Sequence, residues 1–268
     1  KTKAIGKWHL GAHESLVPER RGFDEFFGFL IGGHRYFPED LTINDLTEAR
    51  KQMDGYVTKI YDNGKRIDTK KYLTEELSDN AVQFIDDNSD NPFFIYLSYN
   101  APHTPLQATE RDLERNNHIE VEKRRTYAAM VSSMDDGIGL ILDKLEEKKI
   151  TDNTIVIFFS DNGGVEWYNF SDNGILRGIK GDFFEGGIRV PFTMQWPKKI
   201  KPGTTYDKPI IALDVFATVA SAASAEKYIK NDIDGVDLLP YITGKKSGLP
   251  HKYLYWKNPD KEIDVVRD

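Results

Sequence analysis

The hydrophobic and polar positions of this chain switch repeatedly between two periods. Short apolar runs bounded by turn residues cover residues 2–5, 93–99 and 154–159, the pattern of strands that bury their faces. Helical period fills the stretches between them. One helix is capped at Thr74, carries Glu75 and Glu76 in its first turn, and lines up Leu77, Ala81, Phe84 and Ile85 on one face. Asn91-Pro92 breaks it. A longer helix is expected over residues 120–149, with Tyr127, Met130, Met134, Ile141 and Leu145 in its core stripe. Asp135-Asp136 on that helix diverge by about 100° and form a polar face, not a metal pair. Residues 22–29 are aromatic and fit core with a turn. Residues 36–71 show little periodicity and fit a polar excursion holding a small hairpin over 56–67, turned at Asp62-Asn63-Gly64. Further on, Ile210-Ile211 fit a short strand, Asp214 fits the cap of a helix over 215–223, and residues 253–256 fit another strand. The alternation predicts an α/β fold, a mixed, largely parallel sheet flanked by helices. The expected division is a main domain over 1–225, then a linker and the start of a small α+β subdomain over 226–268.

Chemistry-bearing residues fall at the ends of these elements. Asp161-Asn162 follow the strand over 154–159, where open α/β sheets place their ligand crevices. A carboxylate beside an amide oxygen is a hard donor pair suited to calcium or magnesium. Gly163-Gly164 allow a sharp turn or a close approach there. His103, in Ala101-Pro102-His103-Thr104-Pro105, takes the same position after the strand over 93–99, as a ligand or as a packed loop histidine. Lys7 and His9 are two apart. In an extended segment they share a side and can hold an oxyanion and shuttle a proton; a surface lysine beside a core histidine fits equally. Lys180 stands among Gly178, Gly181, Gly186 and Gly187, either as a cation brought close to an anionic ligand or as a solvated lysine. His34, after Gly32-Gly33, is a second anion contact or a turn residue.

Charge and composition narrow the field. A net charge of −7 over 268 residues argues against a general nucleic-acid binder and leaves anionic small substrates open. No apolar run is long enough to span a membrane, so no membrane partner is expected. The sequence has no cysteine, which excludes disulfides, thiolate metal sites and a cysteine nucleophile among these residues.

Together these segments resemble the sulfatase family of the alkaline-phosphatase-like superfamily, in the flavour of bacterial sulfatases similar to arylsulfatase A and N-acetylgalactosamine-6-sulfatase. The resemblance rests on five segments that keep their order and spacing. They are Gly6-Lys7-Trp8-His9-Leu10-Gly11, Ala101-Pro102-His103-Thr104-Pro105, Ser160-Asp161-Asn162-Gly163-Gly164, Gly178-Ile179-Lys180-Gly181 and Glu185-Gly186-Gly187-Ile188-Arg189-Val190-Pro191. The helix at Asp214 and Asp234-Gly235-Val236-Asp237 also fit. The likeness covers nearly the whole chain and is weakest over 36–71. It implies that Asp161 and Asn162 ligate calcium and that Lys7 and Lys180 bind sulfate oxygens. His9 would contact the nucleophile and assist sulfate release, and His103 would bind sulfate and protonate the leaving alcohol. His34 would fall near a further substrate contact. The implied substrate is a sulfated carbohydrate or an aryl sulfate, and the implied location periplasmic or secreted.

One departure from the family is large. Its nucleophile is a formylglycine made from the first residue of a Cys/Ser-x-Pro/Ala-x-Arg motif, with two further metal-binding acids upstream of it. Neither the motif nor any cysteine is present. The expectation is therefore a piece of a longer sulfatase, inactive alone and weak in calcium binding. Two other readings stand beside it. One is a phosphodiesterase or phosphonate hydrolase of the same superfamily. The other is a sulfated-glycan-binding protein without catalysis, whose whole length would lack the nucleophile.

Overall fold

The computed structural model describes residues 1–258 and 263–268. The chain divides into two compact units. The first comprises Lys1–Thr151 with Gly163–Ile175, the second Asp152–Asn162 with Leu176–Asp268.

The first unit is built on a five-stranded sheet in the order β4-β3-β2-β1-β5. Its strands are β1 (Thr2–Lys7), β2 (Glu25–Phe29), β3 (Ile60–Asp62), β4 (Lys65–Ile67) and β5 (Phe94–Ser98). β1 runs parallel to both neighbours, β2 and β5, while the β3–β4 hairpin joins antiparallel. Residues 22–29 are core with a turn, as expected: the chain turns at Gly22, φ 106°, and Glu25–Phe29 then form a parallel strand. Alternation along it explains why: Phe27 and Phe29 face one core with Ile5, and Phe26 faces the other with Ala4 and Trp8. A strand buried on both faces reads as a continuous apolar run, and it hides the period that would have marked it.

Helices α1 (Leu73–Asn88), α2 (Glu110–Arg115), α3 (Glu122–Glu147) and α4 (Glu166–Asn169) complete this unit. α1 presents Leu73, Leu77 and Ala81 to the same core as Ile5 and Met130 of α3. Each such large aliphatic side chain contributes about 2 kcal/mol by leaving water. Thr74 does not cap α1. Tyr72 stands at the cap position without a side-chain bond, and the Glu76 carboxylate instead accepts from the Lys70 and Lys71 N–H groups at 2.6 and 2.9 Å. Asp136 lies on the surface of α3, 2.7 Å from the Arg115 guanidinium, as a polar face requires.

The excursion over 36–71 is better anchored than its polarity suggests. Tyr36, Leu41 and Ile60 are core residues, and the hairpin turns at Asn63 and Gly64, both with positive φ (49° and 79°).

In the second unit, β6 (Val156–Phe159) pairs antiparallel with β7 (Phe192–Gln195). The expectation of a fully buried strand fails there: β6 has one partner, and Phe158 is 36% exposed. Short helices α5 (Glu185–Ile188) and α7 (Leu239–Ile242), the longer α6 (Leu213–Ala222), and the antiparallel pair β8 (Leu254–Asn258) and β9 (Ile263–Arg267) make up the remainder. Asp214 lies in the first turn of α6 and does not cap it. Its buried carboxylate accepts from the N–H groups of Ile211 and Val236, both at 2.9 Å, and from His251 Nε2 at 2.7 Å. Ile210-Ile211 form no strand, because Ile211 is drawn into that turn.

Candidate active site

In the first unit the candidate residues gather at one end of the parallel strands. Lys7 closes β1. His103 follows β5, which is paired with β1 through Gly6 and Ser98. Both therefore rise from the carboxyl edge of adjacent parallel strands, the usual place for a ligand in such sheets. Close strand approach at this level depends on Gly6: at φ 96°, a Cβ there would sit 2.1 Å from the Ser98 carbonyl oxygen.

Lys7 and His9 do not share an extended segment. β1 ends at Lys7, and His9 adopts a left-handed conformation, φ 56°. The alternation rule that placed them on one side stops at that turn. The backbone still follows β2, with the Trp8 and His9 N–H groups donating to the Phe29 and Leu30 carbonyls at 2.9 and 3.1 Å. The His9 ring lies close to Gly32, where a Cβ would come within 2.7 Å of Nε2. Of the two glycines before His34, Gly32 leaves room for the His9 ring and Gly33 for the Tyr56 ring.

His34 itself is a correction. It is fully buried, and its ring nitrogens lie 2.9 Å from the Arg35 carbonyl and 2.8 Å from the Thr58 carbonyl. Burial outweighs those two bonds and brings its pKa down to about 4. A ring enclosed in this way pins the start of the 36–71 excursion and does not reach a substrate.

His103 is held from three sides. Its Nδ1 donates to the Thr104 carbonyl at 2.7 Å, which sets the tautomer and makes Nε2 the nitrogen that exchanges protons. The peptide bonds before Pro102 and Pro105, on either side of it, are cis. The Tyr36 hydroxyl lies 2.7 Å from the His103 carbonyl and 2.9 Å from that of Asn100, sharing its proton between them. Burial raises the Tyr36 phenol well above its ordinary range, so it stays a donor. Tyr36 also stacks on Tyr72, whose hydroxyl donates to Gln107 further along the same loop at 2.7 Å. Sequence reading missed Tyr36. It sat at the edge of a polar stretch, and its partners are 64 and 67 residues away.

In the second unit Asp161 and Asn162 follow β6 as expected, with the Ser160 hydroxyl donating to the Asn162 carbonyl at 2.9 Å. Lys180 is exposed at the second position of a turn closed by the Asp182 N–H on the Ile179 carbonyl at 2.9 Å. Gly181, third in that turn, has the φ of 90° that a type II turn demands. Gly186 and Gly187 let α5 pack under it: a Cβ on Gly186 would meet the Gly178 carbonyl at 2.1 Å. The glycines shape the loop, and Lys180 is the side chain it displays.

Oxygen donors such as Asp161 and Asn162 fit calcium in kind and supply two of the six to eight ligands it takes. Among the described residues no group of three or more His, Cys, Asp or Glu could hold a metal ion. Nor is any helix among them long and apolar enough to cross a membrane.

Comparison with known proteins decides the family. The sulfatase family model matches residues 1–225. This chain belongs to the sulfatase family. An uncharacterized sulfatase, YdeN, of Escherichia coli (strain K12) is 34% identical over 95% of this chain and 47% of its own length. The N-acetylgalactosamine-6-sulfatase of Canis lupus familiaris is 31% identical over 91% of this chain and 46% of its own. Among solved structures, Ps i-CgsB in complex with k-i-k-neocarrahexaose superposes with a TM-score of 0.88 at 37% identity, covering 99% of this chain and 60% of that one. The sulfatase chain described here therefore spans about half the length of these curated relatives. A phosphonate monoester hydrolase from Silicibacter pomeroyi shares the fold at 19% identity and a TM-score of 0.52.

Proposed function

We propose that this chain is part of a sulfatase that hydrolyses sulfate esters of a sulfated carbohydrate. The observation that carries the proposal is the 37% identity over 99% of the chain to a solved structure in complex with k-i-k-neocarrahexaose. The residues that give the chain its family resemblance have chemistry suited to the task. Lys7 in the first unit and Lys180 in the second are each cations suited to an anionic ester oxygen. His103, its Nδ1 committed to Thr104, passes a proton from Nε2 to the departing alcohol. His9 would contact the nucleophile and assist release of sulfate from it. Asp161 and Asn162 would hold calcium, or magnesium in its place, which supplies positive charge for the ester oxygens and lowers the pKa of the nucleophile. A formylglycine nucleophile has no source among these 268 residues, which include no cysteine, and in this proposal it lies outside them. A periplasmic or secreted location is part of the same proposal.

Sulfate release provides the test. The protein carrying this chain, given neocarrahexaose and calcium, should free inorganic sulfate measurable by ion chromatography, and His103→Ala should lower the rate at least a hundredfold. The 268-residue chain alone should free none. Release of phosphate from a phosphodiester with no sulfate from any ester would turn the assignment to phosphoryl chemistry.

A further inference from the structure

We propose that Glu185 is a positioning residue for Lys180. It fixes the helix α5 on which the Lys180 turn rests, and through Arg267 it makes the β8–β9 pair a determinant of anion binding at that turn. The proposal rests on the sulfatase reading for what Lys180 binds. Its geometry lies wholly within the second unit.

The Lys180 turn and α5 are packed backbone to backbone. The Gly186 N–H donates to the Arg177 carbonyl at 2.7 Å, and a Cβ on Gly186 would meet the Gly178 carbonyl oxygen at 2.1 Å. A Cβ on Gly187 would come within 2.5 Å of the Ile179 oxygen and 2.3 Å of the Asp182 oxygen. Residues on both sides of Lys180 therefore lie against two successive glycines of α5. Within the turn the Asp182 carboxylate accepts from the Ile179 N–H at 3.1 Å, which joins its two ends. The turn is one piece, and it goes where α5 goes.

What holds α5 is its first residue. The helix has four residues, two of them glycine, and no side-chain cap, so it does not persist by local preference. Glu185 is its one polar side chain, and both carboxylate oxygens are engaged. Oε2 accepts from Arg189 at 3.0 Å, a contact within the same segment. Oε1 accepts from Arg267, 82 residues further on in β9, which is paired with β8. The Glu185 and Arg267 side chains are both part-exposed, and such ion pairs contribute little to the stability of a chain. Their effect falls on where Lys180 stands, because a binding group displaced by about 1 Å loses much of its grip.

Charge and positioning predict opposite signs, and that separates them. Glu185→Gln removes a negative charge near an anion-binding lysine, which by charge alone would lower KM for an anionic ester. A positioning role raises it instead. In the protein carrying this chain, Glu185→Gln should raise KM for sulfate release from neocarrahexaose roughly three- to tenfold, with kcat changed less. Arg267→Met should raise KM as well, and the double variant no further than Glu185→Gln alone. Arg267→Lys keeps a cation on Glu185 and should stay near the wild type. Urea midpoints should move little throughout. Trypsin supplies a readout free of activity: a loosened turn is cut faster after Lys180, measured by mass spectrometry against cuts in the first unit. An unchanged or lowered KM in Glu185→Gln overturns the proposal, and so does an unchanged rate of cutting after Lys180. A wild-type protein that frees no sulfate ends the sulfatase reading, and the trypsin comparison then decides by itself whether Glu185 holds the turn.

Discussion

Two loops in this protein each present a cation-capable side chain, and they do so by opposite means. His103 is locked by buried contacts drawn from distant sequence: its own ring bond to Thr104, and the Tyr36 hydroxyl on its carbonyl. Lys180 rides on a turn shaped by glycine φ angles, with its side chain in solvent. The histidine must offer one nitrogen in one tautomer, so its orientation is worth fixing. An ammonium has three donors and no preferred face, so a short loop with a flexible stem suffices. Removing the support should therefore damage the first loop far more than the second.

The largest effect is expected at Tyr36. Tyr36→Ala should destabilise the chain by about 4 kcal/mol, because it opens a cavity in the core and strips a donor from two carbonyls. Tyr36→Phe keeps the ring and should cost about 1–2 kcal/mol. Urea denaturation of both variants measures the difference. A Tyr36→Phe midpoint equal to that of the wild type would show that the hydroxyl does not hold the His103 loop.

Next in size is a pH effect at the root of the same region. His34 titrates near its ordinary 6.5 in the unfolded chain and at about 4 when folded. Between those values the unfolded chain carries the extra proton. Stability is therefore full above pH 6.5 and falls as pH drops toward 4, by about 3 kcal/mol in all. Carboxylates with lowered pKa, such as Glu185 from 4.5 with its Arg189 and Arg267 partners, lose their contribution only from about pH 5 downward, so the fall between pH 6.5 and 5 reads His34. His34→Gln should flatten the denaturation midpoint between pH 6.5 and 5. A wild-type midpoint that stays constant there would contradict the assignment.

The contrast between the loops also explains what could be read from sequence. The Lys180 loop was legible because its logic is local: glycines around one lysine state the turn, and Gly181 fills the position that needs a positive φ. The places of Asp161, Asn162 and His103 after β6 and β5 were legible because those strands stand out as apolar runs between turn residues. The helices over 74 and 120 onward were visible through their 3.6-residue period. The rest failed where distant sequence meets. Tyr36 belongs to His103, Glu76 ties down the Lys70-Lys71 backbone ahead of α1, which has no side-chain cap, and Asp214 turns inward to Val236 and His251 instead of capping α6. His9 left the line of Lys7 at a single backbone angle, and β2 hid its period by burying both faces.

The smallest stability effects belong to the second loop, and they sharpen the contrast most. Gly181→Ala imposes a Cβ on a φ of 90° and should cost about 1 kcal/mol through backbone strain, since no atom lies within 4 Å to clash with it. Lys180→Met removes an exposed charge and should change stability by less than about 0.5 kcal/mol. In the proposed sulfatase the same Lys180→Met should still raise KM for the sulfated oligosaccharide, because the cation acts only when an anionic ester is bound. Gly181→Ala should raise it less, as the ammonium moves without being lost. Loss of stability in Lys180→Met on the scale of Tyr36→Ala would mean that the lysine is structural and that the two loops are built alike. A KM shift without a stability change would make display, and not support, the task of the glycine turn.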